Sequence, residues 1–523
     1  MATGKKGNKA AKSITLAKKA VKQPPGNGPE IQGIELIFGL VGPTGVDLTM
    51  ICDELKVQLK AMQYEPIVIS LSELIPVFLN SSSNSENEYG RIKNLMRLGT
   101  DLREKTNQPD IVGRLGIAKL RSIREERSGD EKKPIPRTAY IIRSFKRPEE
   151  VRLFRDTYGK AFTLISVYSP RPARIKHMAK KFAAIKMPGK SAEELAVELI
   201  NNDYAEEGRD LGQSVGETFP LADYFVTSES RHDVERHLRR LVRLTFGDPY
   251  ISPTRDEQGM FFAQASALRS LDLSRQVGAA IVSTDGDLLS TGCNEVPKFG
   301  GGLYWGEDSY KVRDFELGFD SNVAVKREIV EDAFARLREA DWLSDSAKKM
   351  SDGQLAQESL FGKEAFIRPS KLFDVIEFGR AVHAEMAAIT QAARNGVSLE
   401  NGRLFCTTFP CHICARHIIS SGIREVVFIE PYEKSRTKDL YDDSISVEPY
   451  EASTRRANFK AFVGVAPRKY MDLFEMPSSR KNRSGKILDA DDIANNPRIK
   501  RIVLTYLFAE DIVITQTAQL HST

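Results

Sequence analysis

Short apolar runs alternate with segments of helical period along most of this 523-residue chain, and that alternation restricts its fold more than any other feature. IELIFGLVG reads as a buried strand, GPTG as a turn, and DLTMICDELKVQLKAMQ as a helix with Ile51, Leu55 and Leu59 four apart. PIVISLSEL is a second strand that enters a helix. TAYIIRSF and AFTLISVYS are further strands, with the helix PEEVRLFRDTYG between them. SAEELAVELINND opens with Ser191 and Glu194 at capping-box spacing, ADYFVTSES is the last strand, and the helix HDVERHLRRLVRLTF leads out. This order predicts an α/β unit over residues 31–246, built on a parallel sheet with helices on both faces. GDPYISPTRDEQG marks a boundary. Residues 255–523 then run helix, two strands, a long insertion at 300–377, helix, strand, helix, strand, which predicts a second α/β/α unit. Residues 450–523 show no clear period. Two units suit the length, which exceeds what one ordinary core holds.

Apolar content of 41% and charged content of 28% are those of a globular chain, so both units are expected to be packed. No apolar run approaches the roughly 18–20 residues that cross a bilayer, and no membrane contact is expected. The first 22 residues hold seven lysines and no acid, without the apolar stretch of a signal peptide. Residues 1–30 therefore read as a disordered basic tail, either a solubilising extension or a loose contact to RNA or DNA. Without that tail the formal charge of +5 falls to near neutrality, so the basic balance says little about a nucleic-acid groove. Five cysteines, two of them in one Cys-x-x-Cys, suit metal or redox chemistry in a reducing cytoplasm better than a disulfide framework.

Two fragments carry the chemistry: His383-Ala-Glu385 and Pro410-Cys411-His-Ile-Cys414. Catalytic zinc takes three protein ligands and keeps one position for water. His383, Cys411 and Cys414 supply that set, so Zn2+ is the expected cofactor. Each fragment follows a strand or turn and opens a helix, whose free N–H groups favour ionised thiolates. A water on such an ion loses a proton near neutral pH. Glu385, two residues from the histidine, lies on a different helix face, where it leaves the metal alone and carries protons. The pattern H-x-E…P-C-x-x-C is the general signature of zinc nucleobase deaminases. No second Cys-x-x-Cys completes a structural four-cysteine site, and a redox role leaves His-x-Glu without a purpose. His412 points away from the Cys411/Cys414 side, and Cys406 belongs to a strand core.

The strings ALRSLDLSRQVGAAIVSTDGDLLSTGCNEVP, HAEMAAI and TTFPCHICARHIISSGIREVVFIEPY, over roughly residues 258–432, resemble the deoxycytidylate deaminase family of the cytidine deaminase superfamily. The resemblance implies a cytidine deaminase-like α/β/α fold and hydrolytic deamination of a free deoxycytidine nucleotide, dCMP or dCTP. It also implies that Asn294 holds the deoxyribose and that Arg275 lies near phosphate. An amide suits a hydroxyl and a guanidinium suits phosphate oxygens, although a surface salt bridge is the other reading of Arg275. Cys293 stands where the family usually has tyrosine, and Glu295 where it usually has glycine. The second position belongs to an allosteric nucleotide site in family members, so this substitution speaks against regulation by deoxynucleoside triphosphates. The insertion, with its aromatic and acidic LYWGEDSYKVRDFELGFDSN, reads as a lid or an oligomer contact. Family members assemble, and a homo-oligomer is expected.

A phosphate-cradling loop reads Gly-x-x-x-x-Gly-Lys-Ser/Thr between a strand and a helix. Gly42, Gly45 and Thr49 keep its outline, while Asp47 and Leu48 replace the second motif glycine and the lysine. Residues 31–246 thus read as a P-loop-kinase-like unit in which Gly42, Gly45 and Thr49 are candidate nucleotide contacts. Kinase activity is not expected, because no ammonium meets the β/γ-phosphates and Asp47 repels them. IIRSFKRPEEVRLFRDTYGKAFTLISVYS resembles the post-catalytic part of small P-loop kinases, with Arg143 either on a nucleotide or on the surface. The whole layout resembles the bacterial antiphage defence deaminases. That resemblance implies depletion of the deoxycytidine nucleotide pool, and a first unit that senses a regulatory RNA or a phage-derived activator. Two other readings remain open. A polynucleotide deaminase would need a basic, aromatic groove beside the pocket, and a nucleotide-sensing regulator would use zinc structurally.

Overall fold

Leu36–Val41 (β1) is buried at every position, the pattern of a strand covered on both faces. In the computed structural model it lies inside a sheet with Glu65–Ser70 (β2), Thr138–Arg143 (β3), Phe162–Tyr168 (β4) and Tyr224–Thr227 (β5). These five run parallel in the order β5-β4-β1-β3-β2. Ile51 and Leu55 of the helix Leu48–Ala61 and Leu238 and Leu241 of the helix Arg231–Thr245 pack into one apolar cluster. Ile117 and Leu120 of Ile111–Ser128 and Phe154 of Pro148–Tyr158 pack into another. The structure describes residues 34–521 except 82–84, 86, 186, 364, 432–434, 449–452, 477–478, 491–496 and 499–504. The basic tail expected at residues 1–30 lies outside the described residues.

The second sheet holds Gly278–Val282 (β6), Leu288–Cys293 (β7), Arg403–Thr408 (β8), Glu425–Glu430 (β9), Ile445–Val447 (β10) and Ala457–Ala461 (β11), in the order β10-β11-β9-β8-β6-β7. β6 is antiparallel to β7 and β8, and the other pairs are parallel. The helices Ala384–Asn395 and His412–Ser420 cover one face, and Arg255–Ala267 covers the other. Both halves are therefore α/β, as the alternation predicts. Two glycines set how closely the helices ride. A Cβ on Gly278 would meet the Ala263 carbonyl oxygen at 1.9 Å, and one on Gly292 would meet that of Ala384 at 2.2 Å. The insertion leaves and rejoins the sheet at one place, where Glu295 bridges Val382 beside His383. Its helices Ser321–Glu339 and Asp352–Phe361 pack through Val330, Ala356 and Leu360.

The C-terminal segment runs back to the first sheet. Gly464–Val465 (β12) pairs antiparallel with β5 and becomes the sixth strand of the first sheet. The helix Thr505–His521 returns to pack on Ile111–Ser128 and Pro148–Tyr158. It is fixed there by Arg124, which is fully buried and bonds Glu510 at 2.6 Å and Glu35 at 2.8 Å. Glu35 also accepts from the Tyr140 and Tyr506 hydroxyls. Glu257 joins the two sheets. Its carboxylate accepts from the Val465 N–H at 2.9 Å, the Thr254 N–H at 2.7 Å and Arg240 at 2.6 Å. A two-residue strand and a helix whose apolar residues are spread around its circumference carry no period to read, which is why the sequence pattern stops short of this return.

Candidate metal centre and active site

His383 is the N-cap of Ala384–Asn395, and Cys411 is the N-cap of His412–Ser420. Both helices begin at the same end of the second sheet, so their unpaired N–H groups converge. Cys414, one turn into the second helix, completes the group. The His383 Nδ1 lies 3.3 Å from the Cys411 Sγ and 3.4 Å from the Cys414 Sγ. All three donor atoms lie within 4.8 Å of one another. Pro410 is held just before Cys411, because its carbonyl accepts from the hydroxyls of Ser435 at 3.0 Å and Thr437 at 3.1 Å. That anchor was invisible in the sequence, where Ser435 and Thr437 lie beyond the last patterned strand.

The three donors share protons tightly. The Cys411 thiol is pulled down to about 4, first by the hydrogen bond from Cys414 and then by His383. That same hydrogen bond, reinforced by burial, pushes the Cys414 thiol up. The His383 imidazole rises to about 9 because it hydrogen-bonds Cys411, against the pull of burial. One imidazole and two sulfurs that compete for protons at this spacing are the donor set zinc displaces protons from, and the group fits Zn2+. Glu385 is buried in the first helical turn, and burial followed by the Cys411 thiolate pushes its carboxyl up. Cys406 is fully buried in β8 and remains a core residue, as expected. His412 turns away from the thiols, with its Nε2 3.6 Å from Glu377 at the end of the insertion.

Residues 253–430 match the family model described as the cytidine and deoxycytidylate deaminase zinc-binding region. The match is confined to this part of the chain. It is 46% identical over 55 residues to the deoxycytidylate deaminase of Enterobacteria phage T4, an alignment covering 10% of this chain and 28% of that protein. It is 30% identical over 118 residues to the deoxycytidylate deaminase of Mus musculus, covering 23% of this chain and 52% of that one. The chain thus spans less than a third of the length of the phage relative it matches. A solved dCMP deaminase of cyanophage S-TIM5, in complex with dCMP and dUMP, aligns over 40% of this chain and 99% of its own at 16% identity, with a TM-score of 0.22. That overlap is too loose to carry any statement about ligand or fold.

Within the matched region, the two residues singled out for substrate have partners inside the protein. The Asn294 amide accepts from the Val277 N–H at 2.8 Å and donates to the Arg275 carbonyl at 2.7 Å. It orders the loop that carries Arg275. The Arg275 guanidinium projects into solvent and bonds the Glu430 carboxylate at 2.7 Å. Glu430, a residue the sequence pattern did not mark, ends β9. A strand whose apolar centre is closed by an acid was the signal. Glu295 is buried, with its carboxylate on the backbone N–H of Leu271 and Val296.

The loop after β1 carries Gly42, Gly45 and Thr49. Gly45 sits at φ +98, where a Cβ would strike the Arg174 backbone, and Gly42 leaves room for Leu48. Thr49 opens the following helix. The donors a phosphate would need are already engaged. Asp47 caps the N–H groups of Thr49 at 3.0 Å and Met50 at 3.1 Å, and buried Asp203 accepts from the Thr44 N–H at 2.7 Å. Lys146 pairs with Asp203 at 2.7 Å and bonds the Gly42 carbonyl at 3.2 Å. Carboxylates thus stand where the nucleotide contacts of Gly42, Gly45 and Thr49 were expected. Arg143 pairs with Glu73 at 2.8 Å. Among the described residues no helix is long and apolar enough to cross a membrane.

Proposed function

We propose that this chain is a zinc-dependent hydrolase that deaminates a free deoxycytidine nucleotide at C4 of the base, giving the deoxyuridine nucleotide and ammonia. One observation carries the reading: a buried carboxylate, Glu385, two residues from an imidazole–dithiolate trio at paired helix N-termini. His383, Cys411 and Cys414 would hold zinc, which would supply Lewis acidity that makes a water acidic near neutral pH. Glu385 takes a proton from the attacking water, passes it to N3 of the ring, and delivers a proton to the departing amine. A carboxyl raised by burial holds each proton long enough for transfer. The C4–O bond forms as the C4=N3 double bond opens and N3 takes the proton; the C4–N4 bond then breaks, the remaining hydroxyl proton passing through Glu385 to the amine, so that ammonia leaves and a C4 carbonyl remains. Asn294 keeps the neighbouring loop in place, and Arg275 meets the phosphate.

The names of the phage and mouse relatives support a mononucleotide as substrate, and the near-neutral charge beyond the lysine tail argues against a polymer. Zinc-loaded protein incubated with dCMP, dCTP and single-stranded DNA tests this. Uracil released only in polymer refutes it. We assign the sensor role to residues 31–246 together with the returning β12 and the C-terminal helix. With its loop donors occupied by Asp47 and Asp203, that unit turns over no nucleotide. ATP hydrolysis abolished by Thr49→Ala would overturn this. In the cytoplasm the reaction drains deoxycytidine nucleotides during phage infection, under control of an RNA or a phage product. Nucleotide profiling of infected cells carrying the wild type or Glu385→Ala checks it. Exposed Phe299, Tyr310, Trp342 and Phe366 on and beside the insertion support self-association, which light scattering measures.

A further inference from the structure

We propose that Glu430 is a positioning residue that holds the Arg275 guanidinium in the resting site and competes with the substrate phosphate for it. This rests on the nucleotide reading above. The loop between the helix Arg255–Ala267 and β6 is tied down along its length. Asn294 grips Val277 and Arg275, and its own carbonyl accepts from the Ser270 hydroxyl at 2.7 Å. Gln276 donates to the Ser270 carbonyl at 2.8 Å, and Asp272 accepts from the Ser274 N–H at 2.9 Å. The Arg275 backbone is therefore fixed while its side chain, 55% exposed, has Glu430 as its one ion-pair partner among the described residues.

The pair stands at the edge of the metal centre. Glu430 lies opposite Thr408 across β8 and β9, with the Thr408 hydroxyl 3.4 Å from its second oxygen, and Phe409 and Pro410 lead from there to Cys411.

An exposed ion pair of this kind is weak, on the order of 0.2–1 kcal/mol. A guanidinium binds phosphate through parallel charge-assisted bonds that are stronger. An incoming phosphate therefore takes Arg275 from Glu430. The released carboxylate, 33% exposed, then faces the phosphate and repels it, more so as the phosphate charge grows. Glu430 thus sets both the apparent affinity for nucleotide and the balance between monophosphate and triphosphate.

Steady-state kinetics on the full zinc-loaded chain with dCMP and dCTP test this. Glu430→Gln is expected to lower KM by about two- to fivefold, the range set by an exposed pair, with the larger effect on dCTP and with kcat little moved. Inorganic pyrophosphate should inhibit this variant at correspondingly lower concentration, and Glu430→Asp should restore wild-type values. In an Arg275→Ala background Glu430→Gln should no longer lower KM, because the guanidinium it releases is gone. An unchanged KM in Glu430→Gln, or the same fall with and without Arg275, overturns the inference and leaves the deaminase reading standing. A wild-type protein that converts neither nucleotide overturns both.

Discussion

Replacing Gly292 by alanine places a methyl carbon 2.2 Å from the Ala384 carbonyl oxygen and 2.5 Å from the Ala388 nitrogen. Both atoms are backbone, so no side chain can swing aside. Ordinary contact needs more than 3 Å, so the helix Ala384–Asn395 must lift from the β6–β7 hairpin by about 1 Å, or the hairpin must bend. Overpacking of this kind costs about 1–3 kcal/mol of stability. The consequence for the site is larger, because His383 caps this helix and Glu385 sits in its first turn. A catalytic group misplaced by about 1 Å loses about a hundredfold in rate. Gly292→Ala should therefore unfold at lower denaturant concentration than the wild type, yet remain folded at low denaturant. There its kcat on deoxycytidine nucleotide should fall about a hundredfold, with zinc affinity weakened as well. Denaturation followed by fluorescence, zinc content by atomic absorption and ammonia release measure the three effects. A Gly292→Ala protein with wild-type stability and wild-type kcat would show that the hairpin does not set the height of the catalytic helix.

Three further outcomes follow from particular contacts. Glu385→Gln keeps the shape of the side chain and removes its proton transfer, so kcat should drop by about 10²–10⁴ while zinc content, by atomic absorption, stays at the wild-type level. Glu257→Ala strands the Val465 and Thr254 N–H groups and leaves Arg240 without its carboxylate. Chemical denaturation should show a loss of about 3–5 kcal/mol, with faster hydrogen exchange at residues 464–466. His237 is held neutral by burial, and next by Arg236, with its imidazole lowered to about 4. The unfolded chain protonates it nearer 6.5. Its stabilising contribution is therefore complete above pH 6.5 and is lost as pH falls from 6.5 towards 4. His237→Asn should make the decline in stability over that window shallower in denaturation curves taken across pH.

Strands β1 to β9 were legible because each buries its faces with a period of its own, whereas the helix Ile111–Ser128 was not, its C-terminal half being dense in arginine and glutamate. β1 is apolar throughout, and Leu48–Ala61 repeats every fourth residue. The metal trio was legible for a different reason. His-x-Glu and Cys-x-x-Cys are local spacings, and a helix start turns local spacing directly into geometry. Substrate residues were less so. Asn294 and Arg275 are side chains whose partners, Val277 apart, come from other elements, and the type of a residue does not state whether its amide or guanidinium is already bonded. Glu430 lies far from Arg275 in sequence, and nothing short of the folded sheet brings them to 2.7 Å.

By itself, then, the order of residues marked out the two α/β halves and the His-x-Glu and Cys-x-x-Cys spacings, because each depends on neighbours a few positions apart. Tertiary structure alone decided that the C-terminal segment returns to the first sheet through β12 and Arg124. It alone decided that Asp203 closes on the loop after β1, and that Gly292 sets the height of the helix behind Glu385. Those are contacts between distant parts of the chain. Their free energy comes from burying charge, amide and carbonyl groups against one another, and no local period records it.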